Sequence, residues 1–163
     1  MPYLLDANVL IAAKNLYYGF DFCPAFWDWV IRENRAGRVF SVSRVLNEIT
    51  GGDDDPAEWV RQLDSGFFLP PDASTADSFT AVAQWVDQAQ PYTPAAKNTF
   101  LQIADYYLVA QAHALRYTVV TQERPENSRN RVKIPNVCLA LNIPYLNTFE
   151  MPRAERARFT LRT

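Results

Sequence analysis

Four carboxylates stand where an acid is costly in a folded chain: Asp6, Glu48, Asp105 and Glu123. Asp6 closes the apolar run Tyr3-Leu4-Leu5 and is followed by Ala7-Asn8-Val9-Leu10. Glu48 interrupts the apolar set Val45, Leu46 and Ile49. Asp105 is embedded in the run from Phe100 to Val109, and Glu123 comes two residues after the strand-like stretch Tyr117 to Thr121. Desolvated carboxylates repel one another and resist ionisation. If these four converge, a hard divalent cation, Mg²⁺ or Mn²⁺, is the natural neutraliser, because such ions choose oxygen ligands. Taken singly, each acid also has a plain structural reading. Asp6 could cap a helix, Glu48 could face solvent, Glu123 could open a polar loop, and Asp105 could pair with an Arg or Lys.

The elements that must position these acids alternate between strand and helix. Strands are expected at 3–5, 39–42, 67–69, 117–121 and 144–147. Helices are expected at 9–16, from Pro24 to about Gly37, from a Ser43 cap through Glu48 to Gly51-Gly52, at 75–89 and at 134–139. Asp55-Pro56 reads as a cap and first helical position, carrying Trp59, Val60 and Leu63. The longest helix is expected over 95–115, because Leu101, Ala104, Leu108, Ala112 and Leu115 fall on one face. Alternation of this kind predicts an α/β fold: a three-layer α/β/α sandwich around a mostly parallel sheet. In such sheets ligands bind beyond the carboxyl ends of the strands. Asp6 and Glu123 follow strands, and Glu48 lies on a helix entered from the end of the second strand.

Length and composition narrow the chemistry. The 163 residues suit one domain, and 48% hydrophobic content supplies a core. There is no apolar run long enough to span a membrane and no signal-peptide pattern, so a cytoplasmic chain is expected. Cys23 and Cys138 form no CxxC motif and read as free thiols. His113 is the only histidine, which removes two-histidine metal sites and argues against a Ser-His-Asp triad. The net charge is −2, yet residues 124–133 carry Arg124, Arg129, Arg131 and Lys133 against Glu126, a local +3. The tail from about residue 151 carries Arg153, Arg156, Arg158 and Arg162 against Glu155, again +3. Such stretches either hold phosphates or are simply solvated.

The order and context of the acids resemble those of PIN-domain nucleases (VapC-like ribonucleases). Asp6-Ala7-Asn8-Val9-Leu10 after a first strand looks like their opening motif. Glu48 on an early helix, Asp105 in an apolar helix and an acid after the next strand keep their order. Asp21 to Trp29 and Lys133 to Cys138 further resemble a PIN-like branch of domains of unknown function. The resemblance implies that Asp6, Glu48, Asp105 and Glu123 form a metal-binding, catalytic cluster. It implies that Asn8 orients Asp6, that Thr121 steadies the loop carrying Glu123, and that Asn136 is an alternative oxygen donor. Glu123 departs from the pattern, where most relatives have Asp.

The activity so implied is Mg²⁺- or Mn²⁺-dependent hydrolysis of RNA phosphodiesters, with Arg124, Arg129, Arg131 and Lys133 positioning phosphates. Small PIN proteins are often toxins restrained by an antitoxin, so the resemblance also brings an antitoxin protein and a homodimer into consideration as partners. Tyr17, Tyr18, Phe20 and Trp27 are candidates to face a partner, with core packing the expected fate of most. A rival reading is a non-catalytic RNA- or protein-binding module whose acids are structural. A phosphotransferase using Asp6 as nucleophile is disfavoured, because Asn8 stands where haloacid-dehalogenase-like enzymes need a second Asp.

Overall fold

A computed structural model describes residues 1–50 and 59–161. The Gly51-Gly52 helix end, the Asp55-Pro56 cap and Arg162 lie outside the described residues. Strands β1 (Tyr3–Leu5), β2 (Val39–Val42), β3 (Phe68–Leu69), β4 (Thr118–Val120) and β5 (Tyr145–Leu146) form one sheet in the order β3-β2-β1-β4-β5. Every pairing is parallel, with Leu5 opposite Val120 and Leu4 opposite Phe40. Alternate residues of a strand point to opposite faces. Since Tyr3, Leu4 and Leu5 are all buried, β1 is covered on both faces, as parallel sheets require.

Helices supply that cover. α1 (Ala7–Ala12) runs into a π-helical turn, Ala13–Tyr17. α2 (Pro24–Arg35) starts with proline in its first turn and ends before Gly37, whose φ of +80° suits glycine. α3 (Ser43–Ile49) follows β2 directly. Ser43 is its first helical residue and makes no cap; Val42 precedes the helix in extended conformation, so the expected Ser43 cap does not form. Further on come α4 (Ala76–Gln88), α5 (Pro94–Phe100), α6 (Ala104–Leu115), α7 (Ile134–Leu141) and α8 (Glu150–Ala154). A capping box between Asp72 and Thr75 introduces α4. α6 packs against β1, β2 and β4 and against α3, α4 and α7. The buried cluster is contiguous, with Leu4, Leu5, Phe26, Phe67, Phe100 and Leu108 at its centre.

The long helix expected over 95–115 is two helices. The chain leaves α5 at Leu101 and re-enters helix after Ile103, which is extended at φ −112°, ψ 171°. No glycine or proline marks the break. Two α3 side chains hold it instead: Arg44 donates to the Gln102 carbonyl at 2.9 Å, and Glu48 Oε1 faces the Ala104 N–H at 3.4 Å. Asp105 therefore sits in the first turn of α6 and not in mid-helix.

Trp27 is buried, its indole donating to the Tyr18 carbonyl, and Tyr18 stacks on Phe26 at 4.3 Å. Phe20 lies against Trp27. Of the four aromatic candidates for a partner surface, only Tyr17 lines an open cleft. Both cysteines are free, Cys138 buried and Cys23 half-buried. His113 Nδ1 meets Ser78 Oγ at 2.7 Å, a packing role.

Between β1 and β2, the Ser41 hydroxyl donates to the Leu5 carbonyl at 2.6 Å, next to Asp6 and wholly buried. Ser41→Ala is expected to lower unfolding free energy by about 1 kcal/mol, the usual worth of a buried hydrogen bond. Urea denaturation measures it, and an unchanged midpoint would remove this contact from the forces that set the rim.

Candidate metal centre and the adjoining cleft

The strand order places a topological switch between β1 and β4: from β1 the chain builds outward to β2 and β3, while β4 and β5 extend the other side. Crevices open at the carboxyl ends of strands at such points. Asp6 follows β1 and Thr121 follows β4, one residue past the Leu5–Val120 pair. The Asp6 N–H donates to the Val120 carbonyl at 2.9 Å. That register brings the Thr121 hydroxyl to Asp6 Oδ2, to which it donates at 2.9 Å. The same hydroxyl accepts the Glu123 N–H at 3.1 Å. Thr121 thus ties the ends of two adjacent strands together.

Asp6 is 2% exposed. Burial raises its carboxyl to about 7, the hydroxyl of Thr121 opposes this, and the charges of Glu123 and Glu48 add to the rise. Asp105 is raised to about 8, first by burial and then by the charges of Asp6, Glu123 and Glu48; Arg131 acts weakly the other way. The four acids therefore share one electrostatic neighbourhood. Asp105 accepts no hydrogen bond and forms no salt bridge among the described residues. Glu48 is exposed apart from its long contact to Ala104. Glu123 is the most engaged: Oε1 accepts from Arg131 at 2.9 Å and Oε2 from the Ile134 N–H, at the start of α7, at 2.8 Å.

The donor set suits Mg²⁺ or Mn²⁺ in kind: hard oxygens, two of them on carboxyls that burial holds partly protonated. Its spacing is open. Among the described residues no three acids are drawn into a group that could hold a metal as the side chains stand.

The supporting residues fall differently from expectation. The Asn8 side chain is exposed and makes no hydrogen bond to Asp6; it is the Asn8 backbone N–H that favours the Asp6 carboxylate. The side chain that orients Asp6 is Thr121's. Asn136 spends both ends of its amide on the Glu126 backbone, accepting at 3.0 Å and donating at 3.1 Å, and so braces the loop between β4 and α7. Lys133 lies 3.7 Å from Glu126. Arg124 and Arg129 are exposed, and the Arg129 carbonyl accepts the Thr93 N–H. Arg44 is a residue the sequence reading missed. It also stacks over Tyr107 at 5.0 Å; its only sequence signal was a cation one turn before Glu48.

Beside the acids lies a cleft of about 730 Å³. One wall is α1 and its π-turn, through Asn8, Ile11, Leu16 and Tyr17; the other is the loop after β4, through Glu123, Arg124, Arg131 and Lys133. Large apolar side chains stand exposed on the first wall, Leu16 at 71%. Of the four acids Glu123 lines this cleft, and the cations beside it, Arg124, Arg131 and Lys133, suit a phosphate.

A family model described as "Domain of unknown function (DUF4411)" matches residues 3–159. The chain belongs to the DUF4411 family. No curated protein matches it. Among solved structures, this DUF4411 chain is similar to VapBC2 from Rickettsia felis bound to a DNA fragment from its promoter, with TM-score 0.57 and 13% identity over 90% of this chain and 98% of that one. It is similar to FitAB bound to the IR36 DNA fragment, with TM-score 0.56 and 18% identity over 90% and 95% of the two chains. FitAcB from Neisseria gonorrhoeae gives TM-score 0.56 and 19% identity over 90% and 98%. At these identities the likeness carries the fold, and the DUF4411 chain has the PIN-like α/β architecture.

Asp6 and Asp105 hold protons in the folded state that the unfolded chain, with carboxyls near 3.8, has already released. Stability is therefore expected to fall as pH rises from about 4 toward 8 in the presence of chelator. Asp105→Asn should flatten that fall and stabilise the chain at pH 8 by on the order of 1–3 kcal/mol. Denaturation midpoints across the range measure it; a flat wild-type profile would contradict the buried-charge account.

Proposed function

We propose that the chain is a Mg²⁺- or Mn²⁺-dependent endoribonuclease hydrolysing RNA phosphodiester bonds at the rim formed by Asp6, Glu48, Asp105 and Glu123. The observation that supports the reading is that Asp6, tied to Thr121 at the β1/β4 switch point, and Asp105 are both desolvated within reach of one another's charge, near a cleft lined by Arg124, Arg131 and Lys133. Asp6 and Asp105 are the direct metal ligands in this reading, with Glu48 and Glu123 completing the acidic rim. A bound ion would supply Lewis acidity, activating water and stabilising charge at the phosphorus.

The chain's own residues do the rest. Thr121 donates to Oδ2 of Asp6 and so orients that carboxyl. Arg44 and Glu48 hold the turn that starts α6, and so aim Asp105. Arg124, Arg131 and Lys133 line the cleft, where they bind backbone phosphates without reading sequence. Arg129, exposed on the same loop, extends that surface. The VapBC2 and FitAB complexes among the structural neighbours support an antitoxin partner, and so a toxin role, for this chain. No helix among the described residues is long and apolar enough to cross a membrane.

The open spacing of the acids favours a second reading, a non-catalytic RNA- or protein-binding module on the same fold. Calorimetric titration with Mn²⁺ separates the two: the nuclease binds the ion, and the module does not.

Cleavage of mixed RNA by the native chain in Mn²⁺ is expected to disappear with chelator. Asp6→Asn and Asp105→Asn should each lower it by at least about 100-fold, the cost of losing one charge contact to a transition state. Undiminished cleavage in both variants would overturn the catalytic assignment.

A further inference from the structure

Glu123 differs from its three companions in how it is held. Its N–H is fixed by Thr121, one carboxylate oxygen by Arg131 and the other by the first backbone N–H of α7. Its side chain is 6% exposed, against 54% for the Arg131 it holds. The guanidinium already neutralises the Glu123 charge, and the helix end already receives it. Asp105, by contrast, has neither hydrogen bond nor salt bridge among the described residues. The loop that Glu123 anchors is closed on itself elsewhere by the Asn136 clamp on Glu126 and by Lys133. Arg131 lines the cleft and its charge reaches Asp105, so it stands between the loop and the acid rim.

We propose that Glu123 is the anchor of this loop and not a metal ligand: it holds Arg131 at the edge of the acid rim to receive an RNA phosphate, and leaves metal binding to Asp6, Glu48 and Asp105. The inference rests on the metal-centre reading above. It also gives a reason for the length of the side chain. An aspartate would be shorter by one methylene, about 1.5 Å, and could not meet Arg131 and the Ile134 N–H together.

The test uses the full chain with two readouts, Mn²⁺ titration by calorimetry and binding of a labelled single-stranded RNA of mixed sequence in chelator. The native chain is expected to bind Mn²⁺, and Asp105→Asn to lose it. Glu123→Asp and Glu123→Gln should keep Mn²⁺ affinity within about threefold of native while RNA affinity falls about tenfold, and Arg131→Gln should weaken RNA binding by the same factor. The Glu123→Gln/Arg131→Gln pair should bind RNA no more weakly than either single variant, since both remove one contact. A general loss of structure would not give that coupling, and thermal midpoints identify any variant that fails to fold; of the two position-123 variants, Glu123→Gln keeps the side-chain length. Loss of Mn²⁺ in Glu123→Gln comparable with Asp105→Asn, or native RNA affinity in Glu123→Asp, would each overturn the inference and leave the metal centre standing. No Mn²⁺ binding by the native chain would overturn both.

Discussion

One hydroxyl joins the two strands that meet at the rim. Thr121 donates to Asp6 and accepts from the Glu123 backbone, so the ends of β1 and β4 are fixed to each other by a neutral group buried at 1% exposure. Two of the four acids, Asp6 and Glu123, are tied directly to that contact. The parallel register sets it, because Leu5 opposite Val120 leaves Asp6 and Thr121 side by side as the first residues beyond the sheet. Asp6 cannot retreat to solvent from there. It carries the full cost of desolvation, relieved only by one hydroxyl and one backbone N–H.

The four acids are relieved unequally, and helix ends account for most of the difference. The first N–H groups of a helix have no partner within it. Glu48 faces the N–H of Ala104 at the start of α6, and Glu123 accepts that of Ile134 at the start of α7. Two orphan donors and two carboxylates thus satisfy each other across separate elements, and Glu123 has Arg131 besides. Asp6 and Asp105 receive no cation of this kind and keep their protons to near-neutral pH. Glu123 helps hold the architecture together, Asp6 and Asp105 stand uncompensated at its rim, and Glu48, exposed with one long contact, lies between the two.

Much of this was legible in the sequence, for identifiable reasons. Alternating apolar runs located β1, β2 and β4 within a residue or two, because buried parallel strands are short and continuously apolar. Pro24 and Pro135 marked helix starts because proline suits the first turn. The break between α5 and α6 was not legible. Residues 101–103 contain no glycine or proline, and the apolar stripe continues through them; the turn is held by Arg44 and Glu48, from a helix more than fifty residues away. Asp105, disfavoured in mid-helix, was the local hint that the helix begins again there. Roles of single side chains were the least legible. Asn8 and Asn136 have the right chemistry to serve the acids, but which atom an amide meets is decided by register and loop path, and the loop claims Asn136 for Glu126.

The openness of the acid group follows from the same electrostatics. Carboxylates that approach without a counter-charge repel, and Arg131 is already paired with Glu123, so Asp6, Glu48 and Asp105 gain nothing from close spacing. The freedom to close it is not shared equally. Asp6 is fixed by Thr121 and the sheet, whereas Asp105 has no hydrogen bond in its first helical turn and Glu48 has only one long contact. Ordering two side chains costs up to about 2 kcal/mol apiece in lost freedom, which the attraction of a bound divalent ion would offset. A rim with one preset ligand and two adjustable ones is therefore compatible both with the open spacing and with a divalent ion, and the fixed wall of the site is the one that Thr121 builds.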